Sequence, residues 1–102
     1  MTVEELAARR QAGEDLFLLD VREPWEFAIA AIEGALNVPL STLPSALDKI
    51  PESQPVVVIC HHGMRSAQAM RWLEAQGRRN VVNLIGGIDA WARRIVSGMP
   101  VY

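Results

Sequence analysis

The sequence predicts an α/β domain with a mostly parallel β-sheet and helices on both faces. Short apolar runs alternate along the chain with segments of helical pattern, and this alternation is typical of β–α–β units. The run Val-Val-Val-Ile at positions 56–59 is β-branched and uninterrupted, as expected for a central strand that is covered on both faces. With 102 residues in all, we expect one domain spanning residues 1–102.

Local signals set the boundaries of the predicted elements. Pro24 suits the first turn of a short helix, and Ser41 or Thr42 can cap another that runs to about Ile50. Gly77 ends a later helix in the usual way. The predicted strands are 16–21, 35–38, 56–59 and 81–85, and the last two helices are 66–76 and 88–95, the latter with Trp91 on its buried side.

Composition and charge exclude several classes of protein. Half of the residues are apolar, so the chain is not intrinsically disordered. Residues 1–52 carry ten acidic and four basic side chains, whereas residues 53–102 carry two acidic side chains and six arginines. The basic half favours small anions and a thiolate, but its arginines are too scattered to indicate a nucleic-acid partner.

No segment indicates export or membrane insertion. No apolar run approaches the roughly 20 residues that a membrane helix needs. The N-terminus lacks the basic start and hydrophobic stretch of a signal peptide, so we expect a cytoplasmic protein without membrane association. Cys60 is the single cysteine, and it is either a buried filler or a working thiol.

The segment Cys-His-His-Gly-Met-Arg-Ser at positions 60–66 follows the clearest strand and precedes a helix. Sites of parallel sheets form at the carboxyl ends of strands, where Cys60 lies. If the backbone curves around the sulfur, the N–H groups of residues 61–66 can face it and stabilise negative charge. The start of the following helix adds partial positive charge there, and Gly63 permits the tight curvature. We therefore predict that Cys60 is a nucleophile.

The other side chains of this loop are candidate substrate-binding groups. A guanidinium from Arg65 beside the sulfur can favour the thiolate and dock an oxyanion. Ser66 is either a plain N-cap of the helix or part of the site. His61 and His62 are expected to contribute backbone N–H groups and to line the rim together with Met64. We predict no metal site, because adjacent histidines point apart and zinc normally takes four ligands.

Three groups of residues resemble the single-domain rhodanese family of sulfurtransferases. The loop at 60–66 is similar to the family's active-site pattern Cys-x-x-Gly-x-Arg-Ser. The other matching segments are Asp-Val-Arg-Glu at 20–23, Glu-Phe at 26–27, Ile-Glu-Gly-Ala-Leu-Asn-Val-Pro at 32–39, Leu-Ile-Gly-Gly-Ile-Asp-Ala-Trp at 84–91 and Gly-Met-Pro-Val at 98–101. The resemblance runs in order from about residue 16 to residue 101.

This resemblance implies a rhodanese-like, five-stranded, mostly parallel sheet and a cysteine that cycles through a persulfide. Cys60 would take the outer sulfur of thiosulfate or of a persulfide donor and pass it to a thiol, to cyanide or to a protein acceptor. No cofactor is implied. By position, Asp20 and Arg22 match residues near the loop, where we expect a salt bridge that fixes the loop, with Glu26 helping to hold Arg22.

Two details bear on the resemblance. Phosphatases and arsenate reductases of related fold place the arginine six residues after the cysteine, whereas Arg65 lies five after Cys60, and the shorter loop favours sulfur over phosphate. Family members often read Gly-His-Ile-Pro-Gly-Ala where this chain reads Ala-Ala-Ile-Glu-Gly-Ala at 30–35. That departure concerns local hydrogen bonds and leaves the cysteine loop intact.

Three functional hypotheses remain at this stage. The first is an enzyme that transfers sulfur through Cys60, and the second is a persulfide carrier or binding module for a dedicated partner. The third is a structural domain with an inert cysteine. The presence of both Cys60 and Arg65 in an intact loop argues against it. A flat apolar rim formed by Trp25, His61 and Met64 would favour a protein partner.

Overall fold

The computed structural model describes all of residues 1–102 and contains a four-stranded parallel sheet. The strands are β1 (Phe17–Asp20), β2 (Leu36–Asn37), β3 (Val56–Ile59) and β4 (Val81–Asn83), in the spatial order β2-β1-β3-β4. The α-helices are α1 (Val3–Gln11), α2 (Pro24–Ile29), α3 (Met64–Ala75) and α4 (Gly87–Arg94), and a 3-10 helix spans Leu40–Lys49. The α/β class and the parallel sheet are confirmed.

The fifth strand that the resemblance implied is absent from the structure. The start of the chain contacts the edge of β4 but forms no strand there. The N-terminal amine of Met1 donates to the Asn83 carbonyl at 3.0 Å, and the Ile85 N–H donates to the Met1 carbonyl at 2.9 Å. The next residue, Thr2, already caps α1 in a capping box with Glu5. Only one residue therefore meets the open edge of β4, and no strand forms there.

The core confirms that β3 is covered on both faces. Alternate residues of a strand point to opposite sides of the sheet, and Val56 and Val58 pack on one side while Val57 and Ile59 pack on the other. The first side is covered by α3 and the 3-10 helix, through residues such as Leu73. The second side is covered by α1 and α4. All four strand residues are fully buried.

Several predicted boundaries shift in the structure. Helix α3 begins at Met64, two residues before the predicted start, because Gly63 acts as its N-cap with φ of 109°. Of the two roles left open for Ser66, the plain N-cap is therefore excluded. The segment after Pro39 forms a 3-10 helix with Pro44 inside it, since proline cannot donate the hydrogen bonds of a regular helix. Helix α1 was not predicted, although Thr2 and Glu5 form a recognisable capping box.

No helix of the fold is long and apolar enough to cross a membrane.

Candidate active site

Cys60 follows β3 directly, at the carboxyl edge of the sheet, with only 1% of its surface exposed. Its sulfur accepts a hydrogen bond from the Gly63 N–H at 3.0 Å. The Ser66 hydroxyl lies 3.2 Å from the same sulfur. Because α3 begins at Met64, the sulfur also lies beside the N-terminal turn of a twelve-residue helix, where partial positive charge is concentrated. These donors favour negative charge on the sulfur.

Fewer backbone N–H groups contact the Cys60 sulfur than the sequence predicted. We expected the N–H groups of residues 61–66 to converge on Cys60, but among them only that of Gly63 makes a hydrogen bond to the sulfur. The second donor is the side chain of Ser66, the third residue of α3, which is fully buried. Ser66 therefore contacts the sulfur instead of capping the helix.

Asn83, which the sequence analysis missed, links the two donors. Its amide Nδ2 donates to the Gly63 carbonyl at 3.1 Å, and its Oδ1 accepts a short hydrogen bond from the Ser66 hydroxyl. Asn83 is the last residue of β4, and a polar residue at the carboxyl end of a parallel strand is the signal that could have identified it.

The first residues of α4 form hydrogen bonds to the 60–66 loop. The N–H groups of Ile88 and Asp89 donate to the carbonyls of Cys60 and His61 at 2.8 and 3.1 Å. Gly87 has φ of 59°, and a Cβ there would lie 2.3 Å from the Cys60 carbonyl oxygen. The close approach of α4 to the 60–66 loop thus requires glycine at this position.

Arg65 binds a carboxylate, and no hydrogen bond joins its guanidinium to the sulfur. Its two terminal nitrogens donate to the two carboxylate oxygens of Glu26 at 2.6 and 2.8 Å. This pairing lowers the pKa of Glu26 from its ordinary 4.5 to about 2 and raises the pKa of Arg65. The prediction that Glu26 holds Arg22 was wrong for the side chain, because only the Glu26 carbonyl accepts from Arg22, at 3.3 Å.

Asp20 and Arg22 form the expected salt bridge. Both side chains are fully buried, and the guanidinium donates to both carboxylate oxygens, with the shortest contact at 2.7 Å. Arg22 also donates to the carbonyl of Ala30 at 2.6 Å, so the pair ties the end of β1 to the chain after α2. Neither side chain makes a hydrogen bond to any residue of the 60–66 loop, so the pair does not fix that loop directly as expected.

Tyr102 contacts both ion pairs, Asp20–Arg22 and Glu26–Arg65, and was not singled out from the sequence. Its hydroxyl accepts from Arg22 at 2.8 Å and donates to Glu26 at 2.9 Å. Its ring stacks on the imidazole of His61, with centroids 4.0 Å apart and planes 6° apart. Burial raises the pKa of Tyr102. No local sequence signal identifies this residue, because its partners lie 76 and 80 positions away.

The expectation that the adjacent side chains of His61 and His62 point apart was wrong, because their rings stack with centroids 4.1 Å apart. Burial, and then the neighbouring His62, lower the pKa of His61. Three residues that could together ligate a metal ion, His61, His62 and Asp89, have their possible ligand atoms within 4.8 Å of one another. That set has three members instead of four, and Asp89 already accepts from Arg93 at 3.1 Å.

Two of the three residues expected to form an apolar rim are exposed, Trp25 at 62% and Met64 at 82%, whereas His61 is half-buried against the Tyr102 ring. Ile85, which is 60% exposed, takes the third place in the apolar rim, which is defined here as Trp25, Met64 and Ile85. The Trp25 ring meets the Tyr102 ring edge-on with centroids 6.1 Å apart, and Tyr102 stacks on His61 of the loop. Ile85 precedes Gly86, whose nitrogen would lie 3.5 Å from a Cβ on Gly63. None of the surface cavities is lined by Cys60 or by another residue of the 60–66 loop.

Comparisons with known proteins agree with this geometry. The family model described as the rhodanese-like domain matches residues 2–94. A sulfurtransferase of Allochromatium vinosum is 42% identical over 98 residues, which cover 96% of this chain and 89% of that protein. The probable adenylyltransferase/sulfurtransferase MoeZ of Mycobacterium tuberculosis is 38% identical over the whole chain, which spans only 26% of its length. A rhodanese-like domain protein from Staphylococcus aureus superposes with a TM-score of 0.87 at 29% identity, covering 100% of this chain and 96% of that structure.

Proposed function

Because the chain belongs to the rhodanese-like domain family, we propose that it transfers sulfane sulfur through a persulfide on Cys60. The observation that carries the proposal is the pair of donors on the Cys60 sulfur, the Gly63 N–H at 3.0 Å and the Ser66 hydroxyl at 3.2 Å. Hydrogen bonds to an anion are stronger than those between neutral groups, so this arrangement stabilises a thiolate or a persulfide anion.

The reaction consists of two displacements at sulfur. In the first, the Cys60 thiolate attacks the outer sulfur of the donor, the donor's S–S bond breaks, and sulfite or a thiolate leaves with the bonding electron pair. In the second, a thiol or cyanide attacks the outer sulfur of the Cys60 persulfide and releases the Cys60 thiolate. No net oxidation or reduction occurs in the two steps together.

A protein acceptor is the partner that the rim supports. Trp25, Met64 and Ile85 present apolar side chains to solvent near a loop that lines none of the surface cavities. Exposed aromatic and methionine side chains are enriched at protein interfaces, whereas a deep cavity usually serves a small ligand. A persulfide carrier for a dedicated partner is therefore the second candidate function.

The test of the proposal is the intact mass of the purified protein before and after incubation with thiosulfate or a thiol persulfide, without reductant. Cys60→Ser serves as the matched control. We expect wild type alone to gain about 32 Da, the mass of one sulfur, and cyanide to remove it as thiocyanate. The proposal fails if no donor adds sulfur to wild type, or if Cys60→Ser gains the same mass.

Steady-state turnover then separates the two candidate functions. Rapid turnover between small donors and small acceptors would identify an enzyme for those compounds. Stoichiometric loading followed by slow release, with fast release only to a protein thiol, would identify a carrier.

A further inference from the structure

Glu26 neutralises the only arginine of the catalytic loop. Both terminal nitrogens of Arg65 face the Glu26 carboxylate, at 2.6 and 2.8 Å. The remaining arginines around the loop are also paired, Arg22 with Asp20 and Arg93 with Asp89. The positive charges of these three arginines are thus balanced by carboxylates in the folded protein.

Glu26 is held firmly in this position. Its side chain is only 5% exposed, and it accepts hydrogen bonds from the Glu23 N–H at 3.0 Å and from the Tyr102 hydroxyl at 2.9 Å. A bidentate pair between Arg65 and a carboxylate with these further donors is a strong one. An incoming oxyanion must either displace Glu26 from Arg65 or bind the outer N–H groups of a guanidinium whose charge is already compensated.

On the basis of the proposed function, we propose that Glu26 is a specificity-determining residue that disfavours thiosulfate and favours thiol persulfides as sulfur donors. Thiosulfate is a compact dianion that needs an available cation for docking. A thiol persulfide can instead place its organic part against the apolar rim of Trp25, Met64 and Ile85. The Cys60 thiolate attacks the terminal sulfur of R–S–SH, the S–S bond breaks, R–S⁻ leaves, and the terminal proton stays on the transferred sulfur.

The test compares Glu26→Gln with wild type, with rates of persulfide formation on Cys60 measured separately for thiosulfate and for 2-hydroxyethyl persulfide, a donor whose organic part carries no charge. Glutamine keeps an oxygen for the Glu23 N–H but releases the charge of Arg65. We expect kcat/KM for thiosulfate to rise about tenfold through a lower KM, which corresponds to about 1.4 kcal/mol. The persulfide donor should change less than about twofold, so the ratio of the two values reports specificity.

Two further variants show whether the effect acts through Arg65. Glu33→Gln makes the same charge change at an exposed side chain that has no ion pair, and it should leave the donor ratio unchanged. Adding Arg65→Met to Glu26→Gln should abolish the gain with thiosulfate. Should Glu26→Gln fail to fold, Glu26→Asp, whose shorter carboxylate cannot hold both nitrogens of Arg65 as closely, should move the ratio in the same direction.

The measurements distinguish failure of the proposal for Glu26 from failure of the proposed sulfur-transfer function. If neither donor adds sulfur to Cys60 in wild type, the sulfur-transfer proposal itself falls. If both donors load Cys60 but the donor ratio in Glu26→Gln equals that of wild type, the role of Glu26 is refuted while the transfer function stands. A gain that persists without Arg65 refutes it as well.

Discussion

The hydroxyl of Ser66 lies 3.2 Å from the sulfur of Cys60, and the same hydroxyl also reaches Asn83 Oδ1. A serine hydroxyl has one proton to donate and lone pairs to accept. While Cys60 is a thiol, its S–H can donate to Ser66, which then donates to Asn83. When the sulfur becomes an anion, the hydroxyl proton can turn towards it. Ser66 therefore serves both protonation states of the sulfur without moving its own oxygen.

Ser66→Ala should slow sulfur loading of Cys60. A hydrogen bond to a charged group contributes about 1.5–3 kcal/mol, so we expect the loading rate constant to fall about 10- to 100-fold. The measurement is stopped-flow or quenched mass analysis of persulfide formation under single-turnover conditions. Ser45→Ala is the matched control, because the Ser45 hydroxyl donates only to the Thr42 carbonyl at an exposed position. An unchanged rate in Ser66→Ala would remove Ser66 from the mechanism.

The sequence predicted those parts of the site that depend on local pattern. The β-branched run at 56–59 placed Cys60 at the carboxyl end of a central strand, and the structure has it there. The resemblance to the rhodanese family is confirmed by the comparisons. Gly63 was expected to permit tight curvature, and it has positive φ. Each of these follows from residues within a few positions of one another.

The parts that the sequence could not supply depend on contacts between distant segments. Asn83 and Tyr102 reach the site from 17 and 76 positions beyond their partners Ser66 and Glu26, and no periodicity encodes such contacts. The partner of Arg65 was missed for the same reason, since Glu26 lies 39 residues earlier. The strand count implied by the resemblance was wrong, since the sheet has four strands and Thr2 caps α1 directly after Met1 contacts the edge of β4.

Gly87→Ala should destabilise the fold and disturb the catalytic loop. The new Cβ would lie 2.3 Å from the Cys60 carbonyl and 2.6 Å from the His61 carbonyl, so backbone must move on both sides. We expect a loss of more than about 2 kcal/mol in the free energy of unfolding, measured by urea titration, and slower persulfide formation.

Gly98→Ala separates this clash from the general cost of positive φ. Gly98 has φ of 88°, and nothing lies within 4 Å of a Cβ there. Its alanine variant should lose only about 1 kcal/mol and load sulfur at the wild-type rate. Equal losses of stability in the two variants would contradict the proposed close approach of α4 to the loop.

The pair of Glu26 and Arg65 should make stability depend on acidity. Arg65 holds the pKa of Glu26 at about 2, below its ordinary 4.5. Because the folded-state pKa is the lower one, the stabilisation is fully present above about pH 4.5 and is lost as the pH falls towards 2. The free energy of unfolding of wild type minus that of Arg65→Met should therefore be largest near neutrality, on the order of 1–2 kcal/mol, and shrink over this interval.

Urea titrations at a series of pH values between neutrality and the acid limit of folding measure this difference. Arg71→Met is the control, because Arg71 is exposed and forms no salt bridge in the structure while its loss changes the net charge equally. The gap between wild type and Arg71→Met should stay nearly constant with pH. A gap for Arg65→Met that is equally flat would show that the ion pair contributes nothing to stability in solution.

Arg22→Met should be among the most destabilising substitutions of a charged residue in the chain. It leaves the fully buried carboxylate of Asp20 without its cation, at a cost of about 3–5 kcal/mol in the free energy of unfolding. Arg93→Met removes an exposed partner of Asp89 and should cost less than about 1 kcal/mol. Thermal and urea unfolding of the two variants measure the contrast.

A double variant distinguishes an unpaired buried charge from simple loss of packing around Arg22. Asp20→Asn combined with Arg22→Met removes both charges and keeps an acceptor for the Arg22 backbone N–H, which Asp20 Oδ1 binds at 3.0 Å. If the uncompensated carboxylate causes the loss, the double variant should be more stable than Arg22→Met alone. If the double variant is no more stable than Arg22→Met, the loss instead comes from the hydrogen bonds that Arg22 donates to Ala30 and Tyr102, and Arg22 then stabilises the fold mainly by connecting the end of α2 to the residue stacked on His61.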